Sequence, residues 1–373
     1  MAPSPGWSWT VPEWVTFPAL TTTTGSIQPK LGNPHLAITG NLRPALAYTD
    51  PYIDQSGTQQ YAALVVQMFD GTAWRSLGSP SPTNLPNDQL GHFLALDSGD
   101  HPVVVWSNGT TNSDVLYLSV WNGATWGTVT PPLNNSIGPP TDAIKPVVRM
   151  NSGDQPVVGW VEVMGGGALS QGDVFVATWT GTMWDKSLGR LGLSTPSSLD
   201  ATFNGAGDPV VGWLDGSSLG FSTWNGTAWI QSPALAVTPS VVGRPTVAFD
   251  SESDPVMVAT GPPTFLSIEE LTSGSWQQSI QNPTPFTNKV AAPSLAAGPD
   301  HNLSLAWVDD GMLNLARRTT ADQWDLRATK LASTNGSINS DFDFVIDAEG
   351  DAWLAWDDGQ TMNVWMNNYP AEP

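Results

Sequence analysis

The sequence predicts an all-β protein of seven four-stranded blades around one axis, a seven-bladed β-propeller closed by its own N-terminal strand. Three observations predict it. First, one phrase recurs about every fifty residues: a short apolar run, a turn of small residues, and a second apolar run ending in an aromatic. Its clearest copies are Leu94–Trp106, Val148–Trp160 and Ala201–Trp213, and fainter ones surround Pro44, Pro255, Leu303 and Ala352. Second, Asp70-Gly71, Asn122-Gly123, Thr180-Gly181 and Asn225-Gly226 each precede a Trp by a few residues. Third, the last repeat stops one strand short, while Pro5–Phe17 carries the missing Trp-rich pattern.

Each repeat divides into strands A to D. In the second blade, A is His92–Leu96, B is Pro102–Trp106, C is Leu116–Trp121 and D follows Thr125. Between C and D, Asn-Gly and Asp-Gly suit a two-residue hairpin turn with both central residues at positive φ. In the last blade A is Phe342–Ile346, B is Ala352–Trp356 and C is Met362–Asn367. Its D strand is expected from Pro5–Phe17, which would remove the open sheet edges. The unbroken repeat makes residues 1–373 one domain, because each blade buries its faces only against its neighbours.

Composition narrows the partners. Asp and Glu number 34 against 13 Lys and Arg, a formal net charge of −21. Such a surface repels phosphate backbones and excludes nucleic acid as a partner. With no cysteine, disulfides, thiolate metal sites and cysteine nucleophiles are excluded. No apolar stretch reaches the length of a membrane helix, and no signal peptide is visible at the start.

The P-V-V-x-W phrase followed by N-G-T-x-W resembles the Trp-rich propeller repeats of many bacterial exported proteins, over essentially the whole chain. It is more loosely similar to propeller lectins and sialidase-like propellers, although the S-x-D-x-G-x-T-W box is not reproduced. The resemblance implies a secreted or extracytoplasmic location, and lectin-like propellers place sugars on aromatics in the grooves between blades. Here the repeated aromatics are Tyr48, Trp106, Trp160, Trp213, Trp307 and Trp356 on strand B, and Trp74, Trp126, Trp184, Trp229, Trp276 and Trp324 on strand D. Large aromatics at constant positions between packed sheets read most simply as core.

Two residues beyond the strand-B aromatic stands an acidic or amide group: Asp50, Asn108, Glu162, Asp215, Asp309 and Asp358. Side chains of this kind cap turns. The five carboxylates are also the candidate calcium ligands, since a hard cation needs several converging oxygens.

The unrepeated positions lie on strand A, next to the axis. Alternation sends every second residue into the channel. Nine residues before the start of strand B stand His35, Phe93, Val147, Asp200, Thr246, Ser294 and Asp343. Eleven residues before it stand Asn33, Lys145, Arg244 and Asp341 among smaller groups, and Arg149 lies at seven. Unlike charges and an imidazole converging on one concave place mark a binding or catalytic site. The expected site is the channel mouth where strand A starts, with Asn33, Phe93, Lys145, Arg149, Arg244 and Asp341 as ligand-binding residues. If the protein is an enzyme, His35, Asp200 and Asp343 are its acid/base candidates. His101 and His301 fall in A–B turns, away from that mouth. Two functions stay open: recognition of carbohydrate or another small polar ligand, or lyase or hydrolase chemistry on a polysaccharide.

Overall fold

A computed structural model describes residues 14–20, 32–53, 60–81, 85–86, 91–108, 114–133, 141–164, 172–237, 245–250, 253–261, 265–281, 290–299, 301–309, 311–320, 323–325, 342–357 and 361–367. They form seven antiparallel sheets. The first described strand is β1 (Trp14–Thr16). Blade 1 is β2 (Gly32–Ile38), β3 (Pro44–Ile53), β4 (Gln60–Phe69) and β5 (Trp74–Gly78), with the short β6 (Leu85–Pro86) added to β4. Blade 2 is β7 (His92–Leu96), β8 (Pro102–Asn108), β9 (Val115–Trp121) and β10 (Trp126–Thr128). Blade 3 is β11 (Thr141–Met150), β12 (Pro156–Met164), β13 (Gly172–Trp179) and β14 (Trp184–Asp185). Blade 4 is β15 (Pro196–Phe203), β16 (Pro209–Asp215), β17 (Ser218–Trp224) and β18 (Trp229–Gln231), with β19 (Leu235–Ala236) on β17. Blade 5 is β20 (Val247–Phe249), β21 (Pro255–Gly261), β22 (Phe265–Thr272) and β23 (Ser275–Gln281). Blade 6 is β24 (Val290–Ala297), β25 (Leu303–Asp309), β26 (Met312–Thr320) and β27 (Gln323–Asp325). Blade 7 is β28 (Phe342–Ile346), β29 (Ala352–Asp357) and β30 (Met362–Asn367), and its outermost strand is β1.

The register of that last pair is Trp14↔Asn367, Val15↔Met366 and Thr16↔Trp365. The pairing runs on through Leu20 and Met362, which exchange both backbone hydrogen bonds at 2.9 Å. Residues 1–13 of the N-terminal segment lie outside the described residues. No helix among the described residues is long and apolar enough to cross a membrane.

The core lies between neighbouring sheets. The strand-B aromatics Tyr48, Trp106, Trp160, Trp213, Trp307 and Trp356 are at most 3% exposed, so they are packing residues and offer no platform to a ligand. Gly220 shows how tight that packing is. A Cβ there would meet the Trp213 ring at 2.6 Å, so only glycine lets the indole lie flat on strand C of its own blade.

The strand-D Trp residues have a different task. Five of the six donate their indole N–H to a backbone carbonyl of the preceding blade: Trp74 to Pro18 (2.8 Å), Trp126 to Leu77 (2.9 Å), Trp184 to Pro131 (3.1 Å), Trp229 to Leu188 (2.7 Å) and Trp276 to Pro233 (2.7 Å), whereas Trp324 of blade 6 is buried in the core. In blades 2, 3 and 4 the same ring also meets the strand-C Trp edge-on, with centroids 5.3–5.5 Å apart.

The C–D connections correct the two-residue turn. They are four-residue loops, closed by hydrogen bonds from the backbone N–H of Asp70 to Ala73, Asn122 to Thr125, Thr180 to Met183 and Asn225 to Ala228. Only the glycine takes positive φ, 91° at Gly226 for example. The reason is the side chain before it. Asn122 and Asn225 each accept two backbone N–H groups through Oδ1, as Asp70 does, which keeps their own backbone out of the left-handed region.

Tyr48 gives the fold a pH signature. Its hydroxyl is fully buried and accepts from Gln67 Nε2 at 2.7 Å. Burial, reinforced by nearby Asp50 and opposed by the Gln67 bond, pushes its pKa from 10.0 up to about 12. A phenol whose folded pKa is raised holds its proton longer when folded. Its stability contribution is therefore complete below pH 10 and lost between pH 10 and about 12. Urea melts across that window should lose roughly 2–3 kcal/mol more in the parent than in Tyr48→Phe. Equal losses in the two proteins would contradict the assignment.

Candidate functional site

Strand A alternates as its sequence requires from residue −8 onward. Leu36, Leu94, Val148, Val247, Leu295 and Phe344 are all buried toward the blades. Residues of the −9 tier face the axis and touch one another around it. Asp343 of blade 7 accepts the backbone N–H of Leu36 at 2.7 Å, and its Oδ2 lies 3.9 Å from His35 Nδ1. The His35 ring rests on Phe93 of blade 2, centroids 4.3 Å apart. The Arg149 guanidinium of blade 3 sits 4.6 Å over that phenyl face and pairs with Asp200 of blade 4 at 3.1 Å. Thr246 of blade 5 then accepts the N–H of Leu295 in blade 6 at 3.0 Å. A repeat cannot reveal this chain of contacts, because each link joins unlike residues of successive blades.

Arg149 also decides where the channel is open. The small neighbours Ala37, Ala95, Ala248 and Ala296 occupy its tier in other blades. Reaching across to Asp200, it fills the side of blades 2 and 3. The remaining space is a cavity of about 400 Å³ walled mainly by blades 4 to 7, with Phe93, Arg149, Asp200, Thr246, Ser294 and Asp343 among its lining residues. Phe203, Asn204, Phe249 and His301 line it toward the A–B turns.

This geometry corrects the expected mouth. The cavity extends from the −9 tier toward the A–B turns, the end opposite the start of strand A. Asn33 and Lys145 are not part of its lining. Both are exposed and sit in β-bulges with φ of 50°, between Gly32 and His35 and between Ile144 and Val147. The extra residue breaks strict alternation at −11. Arg244 and Asp341 lie outside the described residues. His301, set aside from sequence because it falls in an A–B turn, belongs to the cavity. Its signal was its place at the fourth position of that turn, where Asp100 and Asp154 stand in blades 2 and 3.

The acidic positions beyond the strand-B aromatics are also redistributed. Asp50 and Glu162 lie inside β3 and β12, which run on to Ile53 and Met164, so they are not turn residues. Glu162 accepts the Trp160 indole N–H at 2.9 Å. Asp215 accepts from the Thr195 backbone N–H and hydroxyl and from the Ser194 N–H, capping the approach to β15. Asp309 ends β25, and Asp358 lies outside the described residues. Among the described residues, no group of three or more His, Cys, Asp or Glu side chains is placed to hold a metal ion.

No protein-family model matches the chain, nor does the sequence of any curated protein. Solved structures do match the fold. The polysaccharide lyase Uly1 aligns over 94% of this chain and 92% of its own at 10% identity, with a TM-score of 0.61. The Dos1 propeller aligns over 94% and 96% at 11% identity, TM-score 0.59. A Penicillium chrysogenum α-L-arabinanase complexed with arabinobiose aligns over 94% and 98% at 10% identity, TM-score 0.52. Seven four-stranded blades and these likenesses define the class: a seven-bladed β-propeller.

Proposed function

We propose that this propeller recognises carbohydrate and holds it in the axial cavity. The observation that carries the reading is the lining of that one space. Phe203 and Phe249 border it beside Asn204, Arg149 and Asp200, so apolar surface and hydrogen-bonding groups converge as a sugar requires. The likenesses in fold give support, one being to a polysaccharide lyase and one to an α-L-arabinanase complexed with arabinobiose. Export belongs to the same proposal and rests on the likeness to Trp-rich exported repeats.

Binding is favoured over turnover by how the acid/base candidates are held. Asp343 is engaged by the Leu36 N–H, Asp200 by Arg149 and by the N–H of Ala201, and His35 is outside the cavity lining. An array of neutral arabino-, gluco-, manno- and galacto-oligosaccharides tests the reading. Arg149→Ala and Asp200→Asn should each weaken binding about 30-fold or more while the fold persists. Trp126→Phe, which alters only the outer rim, should leave affinity unchanged. Binding that survives both cavity variants and fails in the folded Trp126→Phe protein would move the site to the grooves between blades.

A further inference from the structure

Among the described residues, the lining of the axial cavity stops at one tier. Its floor is the −9 tier, where Phe93, Asp200, Thr246 and Asp343 line the cavity yet keep only 3–7% of their surface. A channel open right through would leave axis-facing side chains wet. Contacts from Asp343 through His35, Phe93 and Arg149 to Asp200 join blades 7 and 1 to 4 at that end, and the Leu295 N–H to Thr246 bond joins blades 5 and 6.

The other end opens at the A–B turns, over one half of the ring. In blades 1 to 3 those turns are laced together. Asp100 accepts the Gly40 N–H at 2.8 Å, and Asp154 accepts the Ser98 N–H and hydroxyl at 2.8 and 2.7 Å. At the same turn position blades 4 to 7 carry Gly207, Ser253, His301 and Gly350, none with a carboxylate to continue the lacing. These blades also supply most of the cavity wall. Asn204, Gly205, Gly298 and the exposed His301 border the opening, with Phe203 and Phe249 just inside.

We infer that the site takes the end of a sugar chain, one or two rings deep, and not an internal stretch. The inference rests on the carbohydrate reading and adds to it the manner of binding. A groove for an internal segment must let the polymer leave at both ends, whereas the described residues line this space only from the −9 tier to the A–B turns. Its volume of about 400 Å³ lies at the lower end of small-molecule sites, enough for a chain terminus and little more. His301 and Asn204 at the rim are then specificity-determining positions for the ring nearest the opening.

Titration calorimetry with arabino- and gluco-oligosaccharides of one to six residues tests this, each used free, O-benzylated at the non-reducing end, or as a bulky reducing-end glycoside. Affinity should change less than about threefold beyond two residues, and one of the two caps should weaken it about 100-fold. His301→Ala should weaken the two-residue ligand about tenfold with the melting curve unchanged. Affinity that climbs with every added residue, ignores both caps and still vanishes in Asp200→Asn would overturn end-on binding and keep the carbohydrate reading. If no oligosaccharide of the series binds the parent protein, both fall together.

Discussion

Removal of residues 1–20 is expected to leave a chain without a cooperative unfolding transition. Three losses coincide. The hydrogen bonds from Phe17 to Val364 and between Leu20 and Met362 disappear, so β30 becomes an open sheet edge. Phe17, packed 5.0 Å from Phe69 and 5.4 Å from Trp353, and the buried Leu20 leave the cluster that joins blades 7 and 1. Trp74 loses its carbonyl at Pro18. Emptying two large apolar sites costs about 3–5 kcal/mol each, which with the lost strand is comparable to the whole stability of a typical domain. Far-UV circular dichroism on heating, with size exclusion for solubility, gives the answer. A truncated protein melting like the parent would show that these contacts do not hold the ring.

Arg318→Met should be the most damaging single substitution away from the aromatic core. Arg318 is 7% exposed on β26 of blade 6, and its guanidinium bridges Asp250 Oδ2 at 3.2 Å and Glu270 Oε2 at 2.8 Å, both in blade 5. Burial already raises the Glu270 pKa, and Arg318 is the main influence opposing it. Removing the cation strands two carboxylates in a place that disfavours charge, at a cost of about 3–5 kcal/mol. Urea denaturation at neutral pH should show the loss as a lower midpoint. Adding Asp250→Asn and Glu270→Gln should return part of it, because the stranded charges go as well. If the single variant unfolds at the parent's midpoint, the triad carries no stability.

The architecture was legible because it repeats. Strands A, B and C of the second and last blades fall within one or two residues of their expected limits, and the strand-B aromatics are core as their constancy implied. What escaped depends on relations between blades. The bulges at Asn33 and Lys145 had a signal in the prolines that follow, Pro34 and Pro146, yet a strand read by strict alternation passes over them. Which side of the channel stays open follows from one long side chain, Arg149, reaching Asp200 in the next blade. Periodicity locates both residues at the axis and says nothing of their meeting. The acceptors of the strand-D indoles are backbone carbonyls 41 to 56 residues away, and a carbonyl leaves no mark in a sequence.

Those rim bonds give the blade a polarity. Blades 1 to 5 each carry the donor, the indole, on one flank and meet a bare main-chain oxygen on the other, so this joint does not depend on which side chains the neighbour bears. A gene duplicating such a unit needs no matching change in its neighbours for the joint to form. The one place where succession fails is the seam, and there the oxygen that Trp74 reaches belongs to Pro18, just beyond β1. The residues just after β1 thus serve as the tail of the seventh blade, offering the first blade the same kind of oxygen that its other neighbours receive.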